Sequence, residues 1–340
     1  MVAGMPFPLP PELTPVRGLT EWSVDPYALA LIVLACAAYL LGVRRVRQSG
    51  ENWPIGRAIA FCAGGGGLAF IATSSFLSVY WPVLFYVRAF QTVVLLLAVP
   101  LFIMLGRPLS LVIAAAPRLG PAVQAAVTGR VARLLTFPAI TGLVLVLTPF
   151  VLYYSPWYAA GFHSFAAREL TSLVLVLPGM VFFWTLLRVD PVPRQYPYLV
   201  ALWVTAAEVV GDAALGLSVI VDRNLIAGGY YHSLARPWGP TLAADQVLGG
   251  GALWILGDLV GLPFLAAVLI AMIREDETEA KVIDAELDQA ELDQAELDKA
   301  RLDRAGELSP GEEDAQPWWV ADPRFASRFA PVESKATDQD

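Results

Sequence analysis

The sequence predicts an all-α, polytopic membrane helix bundle of about seven transmembrane helices, with the amino terminus outside and the carboxyl terminus cytoplasmic. Three observations predict it. Hydrophobic residues make up 56% of the chain and charged residues 16%, whereas soluble domains carry about 25% charged residues; the mean hydropathy is +0.57. The apolar residues fall into runs of the roughly 20 residues that a helix needs to cross a bilayer. Arginine, finally, is concentrated in alternate connecting segments, the asymmetry that sets orientation in membranes.

Residues 1–25 read as an extracytoplasmic lead-in. Their prolines predict extended chain, and they lack the basic stretch and apolar run of a cleavable signal peptide, so the first span is expected to serve as an uncleaved insertion signal. The membrane domain is expected over residues 26–273. Its spans are read as Pro26 to Val43, Ala58 to Val79, Trp81 to Leu105, Leu134 to Tyr154, His163 to Leu187, Tyr198 to Ile220 and Asp245 to Ile273. A very short turn, Ser74 to Pro82, must separate the second span from the third. Arg44, Arg45, Arg47 and Arg57, then Arg107, Arg118, Arg130 and Arg133, then Arg188 and Arg194 follow spans one, three and five; the opposite side offers Arg17, Arg223 and Arg236. Tryptophans 53, 81, 157, 184 and 238 near the span ends suit an interfacial belt. Gly64 to Gly67 and Gly249 to Gly251 predict close helix approach, because small residues replace hydrophobic drive as the basis of packing in lipid. Pro100, Pro149, Pro178 and Pro263 predict kinks or ends.

The remaining segment, residues 274–340, is an acidic tail. From Glu275 onward, 20 Asp and Glu face 7 Lys and Arg, a net of −13, while the rest of the chain carries +5. The pI near 4.9 therefore describes the tail alone, and nothing suggests a nucleic-acid partner. AELDQ, AELDQ, AELDK and ARLDR repeat with a period of five from Ala285 to Arg304. On a helix, Leu287, Leu292, Leu297 and Leu302 advance by about 140° each and wind round the axis, so they form no coiled-coil stripe; a charged, partly helical, solvated arm is expected. Beyond it, PWWVADPRFASRF predicts a docking peptide or an interfacial anchor.

Ionisable residues inside spans are costly and normally face the interior. The candidate intramembrane polar network comprises Arg88 and Gln91 of span three, Arg168 and Glu169 of span five, Glu208 and Asp212 of span six, and Asp258 of span seven, with Asp245 and Gln246 at the mouth of the last span. Arg88 and Arg168 are expected about 10 Å deep, within snorkelling range. Glu208 lies near the midplane, four residues before Asp212 and so on the same helix face. Two carboxylates in low dielectric need a proton or a cation, and the expectation is that Arg168 or Arg88 supplies the charge. His163 and His232, both at span ends or in loops, are the metal-ligand candidates and fit hydrogen-bonded structural groups better. Cys36 and Cys62 have no CxxC spacing and read as small hydrophobes. No catalytic motif of the HExxH or GxSxG type is present, so no enzyme is expected.

The segments WPIGR (Trp53 to Arg57), VPLFIMLGRPLSL (Val99 to Leu111), PGMVFFWTLLRVDPVP (Pro178 to Pro193) and AADQVLGGGALWILGD (Ala243 to Asp258) resemble those of the CtaG-like cytochrome c oxidase assembly factors, over roughly Pro26 to Ile273. The resemblance implies a seven-helix protein of the bacterial cytoplasmic membrane that partners oxidase subunits or other assembly factors, as well as the lipid bilayer. It also implies a link to copper insertion. The family pattern of H-x-x-Q-H in span three and a further histidine in span five is replaced here by Arg88-Ala89-Phe90-Gln91-Thr92 and Ala167-Arg168-Glu169. Copper(I) prefers thiolate, thioether and imidazole, so these replacements imply a member that scaffolds assembly without carrying metal. A transporter or channel for protons, metal or a small solute through spans three, five, six and seven is the alternative; the absence of an inverted repeat counts against it.

Overall fold

The computed structural model describes residues 9–307, and the aromatic segment Pro317 to Phe329 lies outside them. Every regular element among the described residues is helical. Six helices are long and apolar enough to cross a membrane, or seven when one bent pair counts as a single span. We number the main ones α1 (Pro26–Gln48), α2 (Ile55–Tyr80), α3 (Phe85–Ala115), α4 (Pro138–Tyr154), α5 (Pro156–His163), α6 (Phe165–Leu187), α7 (Tyr198–Val221) and α8 (Leu242–Glu307). The bent pair is α4 and α5, which meet at 66°. Short helices occupy Pro15–Thr20, Gly120–Thr128, Arg130–Leu135 and Gly228–Ser233.

Local sequence explains where helices start. Asp25 accepts hydrogen bonds from the Tyr27 and Ala28 amides at 2.9 and 3.2 Å, and Pro26 occupies the first turn, the combination that satisfies free N–H groups and presets φ. Ser155 and Ser164 cap α5 and α6 in the same way. Ser75 accepts from the Leu77 amide at 3.2 Å and restarts the chain as helix within α2. The expected turn at Ser74 to Pro82 is therefore displaced: Phe76–Tyr80 is helical and the turn falls after Tyr80, before α3 begins at Phe85.

Two spans carry π-helical segments, Ala60–Gly66 in α2 and Val94–Ala98 in α3. In the first, a Cβ on Gly64 would lie 2.5 Å from the Phe102 ring and one on Gly65 2.6 Å from Ile103, so glycine is what lets α2 and α3 approach. Pro178 precedes Gly179, whose missing Cβ leaves room for the Leu96 carbonyl and for Pro100 of α3. Helix α3 is the centre of the bundle, 61% of its apolar window being buried against 17–39% for the other spans. Its Leu95 and Leu97 are buried, and around it pack Leu77, Tyr80, Leu175, Phe182 and Phe183, all at most 2% exposed. Aliphatic side chains such as Leu34, Val210 and Leu259 point outward, each 67–68% exposed, which suits hydrocarbon surroundings better than water.

The chain divides into two compact units, Met1–Ile273 and Arg274–Asp340. In the second, the described residues are helical and the repeat leucines 287, 292, 297 and 302 are 58–72% exposed.

Candidate functional site

The starts of α1, α3, α6 and α8 gather at one end of the bundle with the ends of α2 and α7. Ser23 donates its amide to Ser74 O, Arg168 meets Asp25, and Asp245 meets the first residues of α3. Among these ends lies a cavity of about 490 Å³, lined by Arg88, Gln91, Arg168, Glu169 and Asp25 among others. Arg88 is 4% exposed. Its Nη1 donates to Gln91 Oε1 at 2.6 Å, Gln91 Nε2 donates to Ala72 O at 2.7 Å, and its guanidinium lies 5.0 Å from the Trp81 ring centre. Arg168 lies across the cavity and is shared by Glu169 at 3.2 Å and Asp25 at 3.8 Å.

Both arginines stand three residues after the first residue of their helices, Phe85 and Phe165. That places them about 4.5 Å along the axis, shallower than the 10 Å read from the sequence, because α3 and α6 begin later than the predicted spans.

The acidic residues of α7 form a separate group. Glu208 and Asp212 are buried, 2% and 8% exposed, one turn apart on α7, and their carboxyl groups are neighbours, with Asp258 of α8 close by. They lie on a glycine face of α8. A Cβ at Gly257 would collide with the Asp212 carboxylate, and one at Gly261 would come 3.0 Å from Glu208 Oε2. Asp258 Oδ1 is buried without a hydrogen-bond partner among the described residues.

No ion pair among the described residues joins Arg88 or Arg168 to Glu208 or Asp212, contrary to the expected neutralisation. The reason is depth. Glu208 stands 13 residues before Val221, which shares the end of the bundle where α3 starts; at about 1.5 Å per residue it lies about 20 Å from that end, some 15 Å deeper than Arg88. No side chain spans that interval.

Asp245 and Gln246 also have definite places. Asp245, 1% exposed, accepts from the Phe85 and Tyr86 amides at 3.1 and 3.0 Å and pairs with buried Arg236 at 3.3 Å. It caps a helix 160 residues away in sequence. Gln246 accepts from the Ile226 amide and donates to Val219, Asp222 and Asn224 carbonyls, closing the end of α7. Asp190, of the DP-x-P segment, does at the opposite end what Asp245 does here: the helix restarts at Pro108–Ala115 after a left-handed Arg107, and Asp190 accepts from the Leu109 and Ser110 amides of its first turn and from Ser110 Oγ. Asp25, Arg236 and Asp190 are the polar residues that sequence reasoning left out of the site. A helix-capping aspartate before proline was a usable signal for Asp25; the partners of Asp190 are about 80 residues away in sequence and leave none, and Arg236 meets Asp245, nine residues on, through a loop turn that no regular spacing encodes.

His163 is exposed, its ring 6.2 Å from that of Tyr230, and exposed His232 shares a 2.8 Å hydrogen bond between Nδ1 and Gly228 O. Neither faces the cavity. The cavity's own groups are guanidinium, carboxylate and amide, a donor set that does not fit copper(I), and no group of three or more His, Cys, Asp or Glu suited to a metal ion occurs among the described residues. The Cys36 and Cys62 thiols, on α1 and α2, lie near one another, so the two soft donors that sequence spacing separates are neighbours in space.

Uncharacterized proteins of Mycobacterium leprae and Mycobacterium bovis are 26% and 27% identical to this chain over 293 residues, which amount to 84% of the chain and 44% of each relative. The chain thus spans less than half the length of the curated relatives it matches. No solved structure matches it. A family profile described as cytochrome c oxidase caa3 assembly factor (Caa3_CtaG) matches residues 37–275, from within α1 to the last apolar turn of α8. By that match over most of the helical bundle, the chain belongs to the cytochrome c oxidase caa3 assembly factor family.

Proposed function

We propose that the protein is a non-catalytic membrane scaffold for cytochrome c oxidase biogenesis, acting through helix contacts with oxidase subunits or other assembly factors in the bacterial cytoplasmic membrane. The observation that carries this reading is the extent of the family match, which runs from the second half of α1 through every later membrane-crossing helix. In this reading the amino terminus is outside, and residues 274–340 form an acidic cytoplasmic tail offered to a partner.

Copper insertion, implied by the family, is handled indirectly here. Arg88 and Arg168 repel a cation where histidines would bind one, so the protein organises partners that carry the metal.

Deletion is expected to lower oxidase activity and spectral haem a while transcripts of the oxidase subunits persist. An unchanged oxidase spectrum in the deletion strain at low copper, with no related gene left to compensate, counts decisively against the proposal. Stoichiometric copper on the purified protein, lost on Cys36→Ser, would instead make it a metal carrier.

A further inference from the structure

We propose that the Arg88 cavity is the head-group site of a bound glycerophospholipid, whose phosphodiester is held by Arg88 and whose acyl chain lies along the adjoining seam between α1 and α6. The first support is the state of Arg88. It is 4% exposed and lines the cavity, no carboxylate among the described residues pairs with it, and its Nε is buried without an acceptor. Residues 1–8, next to cavity-lining Leu9, contain no Asp or Glu. A buried guanidinium is expensive unless an anion meets it, and its planar fork matches the oxygens of a phosphodiester. Gln91 cannot replace that anion, because its amide offers one oxygen and no charge.

The second support is independent of charge. Thr73, Phe165, Glu169 and Ser172 line both this cavity and a second one of about 370 Å³. The second is apolar, walled by Leu31, Ile32, Leu95, Leu173 and Val176, and Leu31 and Leu173 are 54% and 46% exposed on the lipid side of the bundle. Both volumes fall in the range of about 300–1,000 Å³ usual for ligand sites. A charged chamber leading into an apolar groove has the polarity of an amphiphile. Arg88 stands one turn into α3, so the charged chamber lies near the end of the helix bundle, as a lipid head group requires. A free phosphate or carboxylate would explain the arginine and leave the groove without purpose; a hydrocarbon alone would do the reverse.

The test uses the full chain, purified in mild detergent and stripped of lipid by exchange, with phosphatidylglycerol added and binding read by native mass spectrometry. One phospholipid per chain is expected. Arg88→Gln is expected to weaken binding by about tenfold to hundredfold, the usual loss for a charge-assisted hydrogen bond, with Arg88→Lys intermediate. Leu31→Trp and Leu173→Trp, at exposed positions that leave the core intact, fill the groove and are expected to weaken phosphatidylglycerol at least tenfold while sparing thermal stability. Equal binding by wild type and both tryptophan variants overturns the proposal, as does the absence of a one-to-one complex. Inorganic phosphate bound as tightly as the phospholipid, and unaffected by Leu173→Trp, identifies a free-anion site and also overturns it.

Discussion

Asp245 illustrates how one residue can hold two distant elements. Its carboxylate receives two amides from the first turn of α3 and a guanidinium from Arg236, both side chains being at most 3% exposed. Removing one member of such a buried pair typically costs about 3–5 kcal/mol, because the other charge stays buried and uncompensated. Asp245→Ala is therefore expected to lower stability in detergent by about that amount, as measured by thermal unfolding, and Asp245→Asn by less, since the amide oxygen still accepts from one α3 amide. A loss below about 1 kcal/mol for Asp245→Ala would show that the cap contributes little. The same logic accounts for two segments that carry the family resemblance: DQ and DP-x-P each supply an aspartate that caps a helix start elsewhere in the bundle.

At the scale of elements, α7 and α8 are joined along a seam of small residues. A Cβ on Gly216 would lie 2.6 Å from the Gly250 carbonyl oxygen, and one on Gly250 2.7 Å from that of Gly216. Backbone then meets backbone, so a side chain at either position must push the helices apart. Further along, Gly257 and Gly261 give the Asp212 and Glu208 carboxyls their room. Gly216→Val is expected to destabilise the bundle by at least about 1–3 kcal/mol, the usual range for overpacking. Gly251→Ala supplies the contrast, because nothing lies within 4 Å of its added Cβ; it is expected to be neutral or to gain up to about 1 kcal/mol of helix propensity. Parallel thermal unfolding of the two variants checks the seam, and equal effects would refute it.

For the whole molecule, we propose the orientation that the charge distribution favours. Ten arginines follow spans one, three and five, against three on the opposite side, and the bias of short loops places the richer side in the cytoplasm. Single cysteines placed at Gln48 and at Asp288, in a background without Cys36 and Cys62, are expected to resist a membrane-impermeant maleimide in intact cells. A cysteine at Ser233 is expected to react. Labelling at Asp288 in intact cells reverses the proposed orientation.

Much of this architecture was legible without coordinates. The run lengths, the arginine asymmetry and the resemblance of four segments determined an all-helical membrane protein of the oxidase assembly family, because hydropathy acts over a few turns of chain. Partnership among the polar residues was not legible. Glu208 and Asp212 shared a face by spacing alone, yet the sequence reading paired them with arginines that lie about 15 Å away along the axis. Only packing decided that they lie on the glycines of α8, that Arg88 lines a cavity with Arg168 and Asp25, and that Cys36 lies beside Cys62. Depth and rotation of each helix depend on contacts between residues 20 to 160 positions apart, and no local pattern encodes such contacts.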